Sequence, residues 1–259
     1  MLEKKRIVIT GAGSGIGRAT SKLAAGYGAQ VVCVDLTDGV EETVAEITQA
    51  GGTAIAVKAD VSDESAVINF VEKCLTEYGG IDGIYANAGV SGGRKSLTEL
   101  TVEDWQRTLA VNTIGVFLAV KHSVPHFVKQ GSGAIVCTAS VAALRANAGG
   151  VDYSASKAGV VSIVQTVAYQ TYGTGVRINA VCPGLIETGM TKPTFDLARE
   201  KGKEEKIGQI NPAKRSGLPS EIGEMACFLL SDRASYVNGQ AVPVDGGLSA
   251  SHPWVFPRS

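Results

Sequence analysis

Short apolar runs rich in β-branched residues alternate along this chain with longer segments whose apolar positions recur every three to four residues. Arg6-Ile7-Val8-Ile9-Thr10 and Gly133-Ala134-Ile135-Val136-Cys137-Thr138 are examples of the first kind. The runs predict strands near 6–10, 30–35, 53–58, 81–86, 132–139, 175–181 and 240–244. The periodic segments predict helices near 15–27, 40–50, 63–78, 101–129, 152–173 and 220–231. The strand runs are apolar throughout rather than alternating, which belongs to a parallel sheet covered on both faces. Strands alternating with helices point to one doubly wound α/β domain over residues 1–259, with about seven parallel strands and helices on both faces.

Two stretches break the rhythm. Residues 187–214 are polar, charged and only partly helical, and they follow Pro183-Gly184 beyond the carboxyl end of a strand. Ligands of open α/β sheets bind outside such ends, so this stretch is expected to be a mobile lid over a substrate. The tail 248–259 carries Trp254 and Phe256 between prolines and is expected to bury them, against a neighbouring subunit or within its own.

A chain of 259 residues with 44% hydrophobic content is long enough for one well-buried core. A formal net charge of -1 gives no sign of a nucleic-acid or membrane surface. No apolar run approaches transmembrane length, and Met1 to Lys5 enters the first strand directly, leaving no room for a signal peptide. The five cysteines form no C-x-x-C pair and read as reduced core residues of a cytoplasmic protein. The three histidines lack metal-ligand spacing, so no metal site is expected.

Candidate chemistry enters with the first strand, which runs into Gly11-Ala12-Gly13-Ser14-Gly15-Ile16-Gly17 and then a helical pattern. Strand, glycine turn and helix together form a dinucleotide cradle. Gly11, Gly15 and Gly17 allow close backbone approach, and the helix start offers free N–H groups to a phosphate. The next strand ends in Asp35, near where such folds place a carboxylate on the adenosine ribose. That carboxylate would repel a 2′-phosphate. Leu36 after it and Ser14 in the loop are not basic, so NAD(H) is expected over NADP(H).

Tyr153 and Lys157 lie one helical turn apart. A nearby Lys⁺ favours the phenolate and is expected to lower the Tyr pKa, fitting Tyr153 to pass a proton to or from a substrate oxygen. Alone, this spacing is common on exposed helix faces.

Taken in order, the motifs resemble the short-chain dehydrogenase/reductase family over essentially the whole chain. Its T-G-x-x-x-G-x-G is Thr10, Gly11, Gly15 and Gly17, and its N-A-G is Asn87-Ala88-Gly89, with Ala86 where an Asn often precedes. Asp60-Val61 follows the third strand, Asn112 lies in the long helix, and Ser140, Tyr153 and Lys157 match the active-site set. Pro183-Gly184, Ile186 and Thr188 match the segment bordering the nicotinamide. The resemblance implies a Rossmann-type dehydrogenase. Tyr153 is the acid or base, Ser140 holds the substrate oxygen, and Lys157 binds the nicotinamide ribose. Asn112 helps a water reach Lys157. It implies that Ser14 and Ile16 offer loop N–H groups, Asp60 and Val61 flank the adenine, and Asn87 and Gly89 border the adenosine ribose. It also implies a homotetramer, with the helices near 152–173 and 220–231 at an interface. Thr138 competes with Ser140 for the hydroxyl role, and Asp60 could instead cap the following helix.

Residues near these elements give a mainly apolar candidate pocket: Val141, Leu144, Ala146, Val151, Leu185, Met190 and Phe195, with Arg94, Arg145 and Asn147 as polar exceptions. The expected substrate is a secondary alcohol or ketone with an apolar, cyclic or aromatic body. Two competing readings are a 3-oxoacyl-thioester reductase, which would favour NADP(H) and a basic patch, and a catalytically silent dinucleotide-binding protein.

Overall fold

The computed structural model describes every residue except Arg94 and residues 252–259. The expectations for Trp254 and Phe256, and for Arg94, therefore lie outside the described residues. Seven strands form one parallel sheet: β1 (Arg6–Thr10), β2 (Gln30–Asp35), β3 (Thr53–Lys58), β4 (Gly83–Ala86), β5 (Gly133–Thr138), β6 (Val176–Pro183) and β7 (Ala241–Val244), in the order β3-β2-β1-β4-β5-β6-β7. The order reverses between β1 and β4, and a crevice opens there beyond the strand ends.

Among the described residues, eight α-helices accompany the strands: α1 (Gly15–Gly26), α2 (Gly39–Gln49), α3 (Glu64–Tyr78), α4 (Val102–Leu109), α5 (Gly115–Gln130), α6 (Val151–Gln170), α7 (Lys192–Glu200) and α8 (Pro219–Leu230). Successive strand side chains point to opposite faces, so β1 divides its residues between two cores. Ile7 and Ile9 join Val31, Cys33, Tyr85 and Val136 under helices that include α1 and α8. Val8 joins Val32, Ile84 and Ile135 under α3, α5 and α6. Both faces of the central strands β1, β2, β4, β5 and β6 are dry, which is why those strands read as unbroken apolar runs.

The sheet accords with expectation to within a few residues at strand ends. The long helix expected over 101–129 is two helices joined by a π-helical turn, Ala110–Ile114. A π turn adds one residue to the helical register while apolar positions keep recurring, so periodicity does not register it. The stretch 187–214 contains α7 and a short 3-10 turn, Glu204–Lys206.

Candidate active site

The crevice between β1 and β4 is lined by a loop that the fold itself restricts to glycine. Gly11 has a φ of +69° and Gly15 of +51°, conformations that side-chain-bearing residues rarely adopt. A Cβ on Gly11 would meet Ala88 Cα and Asn87 Nδ2 at 2.9 Å, and one on Gly17 would strike the Gly11 carbonyl. Ser14 makes no side-chain cap at the start of α1. The first N–H groups of α1, with the positive end of its dipole, are left to meet an anion. Thr188 stands over this loop, so that a Cβ on Gly15 would lie 3.2 Å from its side chain. The arrangement fits the pyrophosphate of a nicotinamide dinucleotide.

Asp35 stands against the glycine loop at Gly13. Its Oδ2 accepts from Gly13 N at 2.8 Å, and its Oδ1 from Thr37 N and Thr37 Oγ1 at 2.9 and 2.8 Å. A carboxylate has about four lone-pair sites, so Asp35 keeps capacity to accept from a further donor. Arg18 is engaged with the carbonyls of Gly13 and Gly39 and with Glu42. Leu36 is largely exposed beside it. Asp60 accepts from Ser62 N and Oγ at 2.8 and 2.7 Å, a local turn, while the cap of α3 is Asp63. Val61 is a core residue beneath Gly115.

The ends of β1, β4 and β5 are stitched by hydroxyls and amides. Thr10 Oγ1 accepts from the main-chain N of Asn87 and Ala88, each at 3.0 Å, and Asn87 Nδ2 donates to Thr10 O at 3.0 Å. The Thr138 hydroxyl lies 2.8 Å from Tyr85 Oη and 3.0 Å from Asn87 Oδ1. It is thereby occupied in the sheet, which leaves the cavity to Ser140. Ser140 is buried at the end of β5, with its Oγ accepting from Ala142 N at 3.1 Å.

α6 brings Tyr153 and Lys157 beside Ser140. The Lys157 ammonium is buried and donates to the Thr138 carbonyl at 2.8 Å, and it lies 5.8 Å from the centre of the Tyr153 ring. Burial lowers its pKa to about 8. The Tyr153 phenol moves upward, because burial disfavours the phenolate; the nearby Ser140 hydroxyl opposes that shift. This corrects the expectation that Lys157 lowers the Tyr153 pKa. With the ammonium directed at Thr138, burial governs the phenol.

Asn112 is fully buried in the π turn. Its Oδ1 accepts from Val90 N at 2.8 Å, and its Nδ2 donates to Val90 O at 2.9 Å and Ser156 Oγ at 3.0 Å. Its side chain holds the wall after β4 through Val90. A Cβ on the intervening Gly89 would come within 3.2 Å of Asn112 Oδ1 and 3.4 Å of Lys157 Nζ. Two supporting residues were not anticipated. Asp152 is buried and accepts from Thr108 Oγ1 at 2.9 Å, and Ser156 receives Asn112. Asp152, Ser156, Val160 and Val164 form one buried i,i+4 stripe on α6. Its polar half looks like a solvent face in the sequence.

A cavity of about 1220 Å³ opens over Ser140 and Tyr153. Val141, Ala146, Leu185 and Met190 line it, as do Gly184, Arg145 and Asn147. Leu144, Val151 and Phe195 do not. Leu144 and Val151 are exposed outside it, and Phe195 is buried on the inner face of α7. Proximity to a motif in sequence does not fix which way a side chain faces. Pro183 ends β6 with its ring out of the lining, and Ile186 is buried beside Gly217. Among the described residues there is no cluster of His, Cys, Asp and Glu able to hold a metal ion, and no helix long and apolar enough to cross a membrane.

A family model described as Enoyl-(Acyl carrier protein) reductase matches residues 11–249. The chain belongs to the short-chain dehydrogenase/reductase family. Among its curated relatives, the 3-oxoacyl-[acyl-carrier-protein] reductase of Thermotoga maritima is 39% identical over 248 residues, covering 95% of this chain and 98% of that protein. The levodione reductase of Leifsonia aquatica is 38% identical over 252 residues, covering 95% and 94%. A crystal structure of levodione reductase superposes with a TM-score of 0.92 at 37% identity, covering 97% of this chain and all of that one. A putative NAD(P)-dependent gluconate 5-dehydrogenase from Beutenbergia cavernae, with bound NADP at low occupancy, gives 0.89 at 36% identity, covering 96% and 98%. The family binds a nicotinamide dinucleotide and the relatives are oxidoreductases, in keeping with the glycine loop and with the hydroxyl pair that faces the cavity.

Proposed function

We propose that this short-chain dehydrogenase/reductase uses NAD(H) to interconvert a secondary alcohol and a ketone with an apolar, cyclic or aromatic body. The observation that carries the reading is the placement of Ser140 and Tyr153 in one cavity, with Lys157 buried behind them and the Asp35 carboxylate at the far end of the glycine loop. When bound, the dinucleotide gives or takes the hydride.

The residues divide the remaining work. Ser140 Oγ hydrogen-bonds the substrate oxygen and fixes its position. Tyr153 Oη donates a proton to that oxygen in reduction and takes it back in oxidation. Its raised pKa keeps the phenol protonated near neutral pH, which suits the acid role. Lys157, whose ammonium has donors beyond the one given to Thr138, holds the nicotinamide ribose. Asn112 is a positioning residue, because it fixes Val90 and so the loop beside Gly89.

NAD(H) is favoured by charge. A 2′-phosphate at the ribose would approach the Asp35 carboxylate, and Arg18, the adjacent cation, already pairs with Glu42. The stretch 187–214 acts as the lid. Met190, Thr191, Pro193, Thr194, Gln209 and Ile210 from it line the cavity. It also holds Asn211 Oδ1, a buried side-chain oxygen with no partner. Four copies associate through exposed apolar helix surface, and the protein works in the cytoplasm.

Initial rates with NAD⁺ and NADP⁺ across cyclic and aryl secondary alcohols test the reading. NAD⁺ preference with turnover of bulky apolar alcohols is the expected result. Activity with NADP⁺ alone would displace Asp35 from its role and favour the thioester reductase. Tight NADH binding without turnover of any alcohol would favour a silent dinucleotide-binding protein.

A further inference from the structure

The charges on the cavity wall are one-sided. Among its described lining residues are two cations, Arg145 and Lys214, and no aspartate or glutamate. The chain as a whole is nearly balanced, with 24 Lys and Arg against 25 Asp and Glu. Elsewhere its cations commonly meet carboxylates, as in Arg6 with Asp82, Lys22 with Glu46, Arg199 with Glu187 and Arg215 with Glu221. Arg145 instead donates through Nη2 to the Ser249 carbonyl, and Lys214 Nζ to the Gln209 carbonyl at 2.6 Å. A neutral carbonyl orients a cation without cancelling its charge. Arg145 has five N–H donors in a planar fork, so most remain for a bidentate acceptor.

The backbone adds an independent observation. Three non-glycine residues among those described have a positive φ, and two of them, Asn147 at 63° and Lys214 at 59°, line this cavity. Such conformations cluster where surrounding structure holds a residue for a ligand. Lys214 is held by its own N–H to the Asn211 carbonyl at 3.0 Å and by its ammonium to Gln209.

We propose that the substrate carries an anionic group, a carboxylate in the simplest form, at the end of its apolar body remote from the reacting carbon. Arg145 meets this group, and Lys214 supplies a second positive charge at the rim. The body lies between, against Val141, Leu185, Met190 and Ile210. This inference rests on the reading of the cavity as the substrate site.

The test is calorimetric binding of cyclohexanecarboxylate and of cyclohexanecarboxamide to the full chain saturated with NADH. Neither ligand has a carbon to oxidise, so binding is read apart from turnover. The wild type is expected to bind the carboxylate about tenfold or more tightly than the amide, the scale of a hydrogen bond to a charged group. Arg145→Gln keeps a donor for Ser249 but loses the charge. In it the ratio should collapse toward one, and Lys214→Gln should shrink it less. Equal affinities in the wild type, or no binding of the carboxylate, would overturn the inference. So would an Arg145→Gln variant that weakens both ligands alike, since that is the mark of a mere tether. Carboxylate preference in a protein that turns over no alcohol would uphold the anion site and sink the reaction. Turnover without carboxylate preference would do the reverse.

Discussion

Tyr153 and Lys157 lie one turn apart on α6, yet different surroundings govern their protons. Tyr153→Phe removes the proton donor and keeps the ring packing. It should retain NADH binding, read by fluorescence titration, and lose about 10²- to 10⁴-fold in turnover, the range of general acid–base catalysis. Lys157 is best tested through stability. Its pKa is lowered to about 8 in the folded protein against about 10.4 in an unfolded chain. Between those values the unfolded chain binds more protons, so this group makes the fold more stable as pH rises. Below about 8 both states are protonated and the burial cost stands in full. Melting temperatures of the wild type and Lys157→Met, followed from pH 7 to 10, should therefore diverge in the wild type's favour as pH rises. Parallel curves would mean that the ammonium is not buried as described.

At the scale of elements, the π turn between α4 and α5 carries the next prediction. Asn112→Ala would leave Val90 N and O without their side-chain partners and remove the donor to Ser156 Oγ, which keeps its own bond to the Tyr153 carbonyl. Each buried group left unmatched costs about 1–3 kcal/mol. The melting temperature should fall by several degrees, and the Michaelis constant for NADH should rise as the loop beside Gly89 loosens. This element also marks the limit of what the sequence discloses. The glycine loop was legible because each glycine answers a demand no other residue meets, as Gly17 does against the Gly11 carbonyl. The strands were legible because two dry faces require unbroken apolar runs. The π turn was not, since one inserted residue leaves the apolar recurrence intact. Asp152 and Ser156 were hidden for a related reason. Polar residues on a helix resemble a wet face until a partner such as Thr108 covers them. The cavity wall was half legible, because proximity to a motif identified Val141 and Leu185 but facing excluded Phe195. The lid yields its own prediction. Limited proteolysis should cut within 187–214 in the free protein, and NADH with a ketone should slow that cleavage several-fold. Cleavage at an unchanged rate would remove the lid.

Association of whole molecules would draw on apolar side chains that the single chain leaves exposed. Ile114 at the end of the π turn and Phe117 and Val128 on α5 are each more than two-fifths exposed, and Tyr169 at the end of α6 is nearly four-fifths exposed. Isolated exposed apolar residues are ordinary, but several on helices of one face of the sheet are candidates for burial in an assembly. Closed symmetric assembly buries such a face against its own copy. α6 lies on that face and also carries Tyr153 and Lys157, so association would brace the catalytic helix from behind. Light scattering on the eluting protein should give a four-chain mass. Phe117→Glu places a charge where burial would leave it without a partner, so it should shift the mass toward smaller species and lower the melting temperature. If the variant keeps the four-chain mass, α5 lies outside the interface. If the wild type elutes as a single chain, these apolar residues are solvent-facing in the working protein and α6 is held in place by its own core contacts alone.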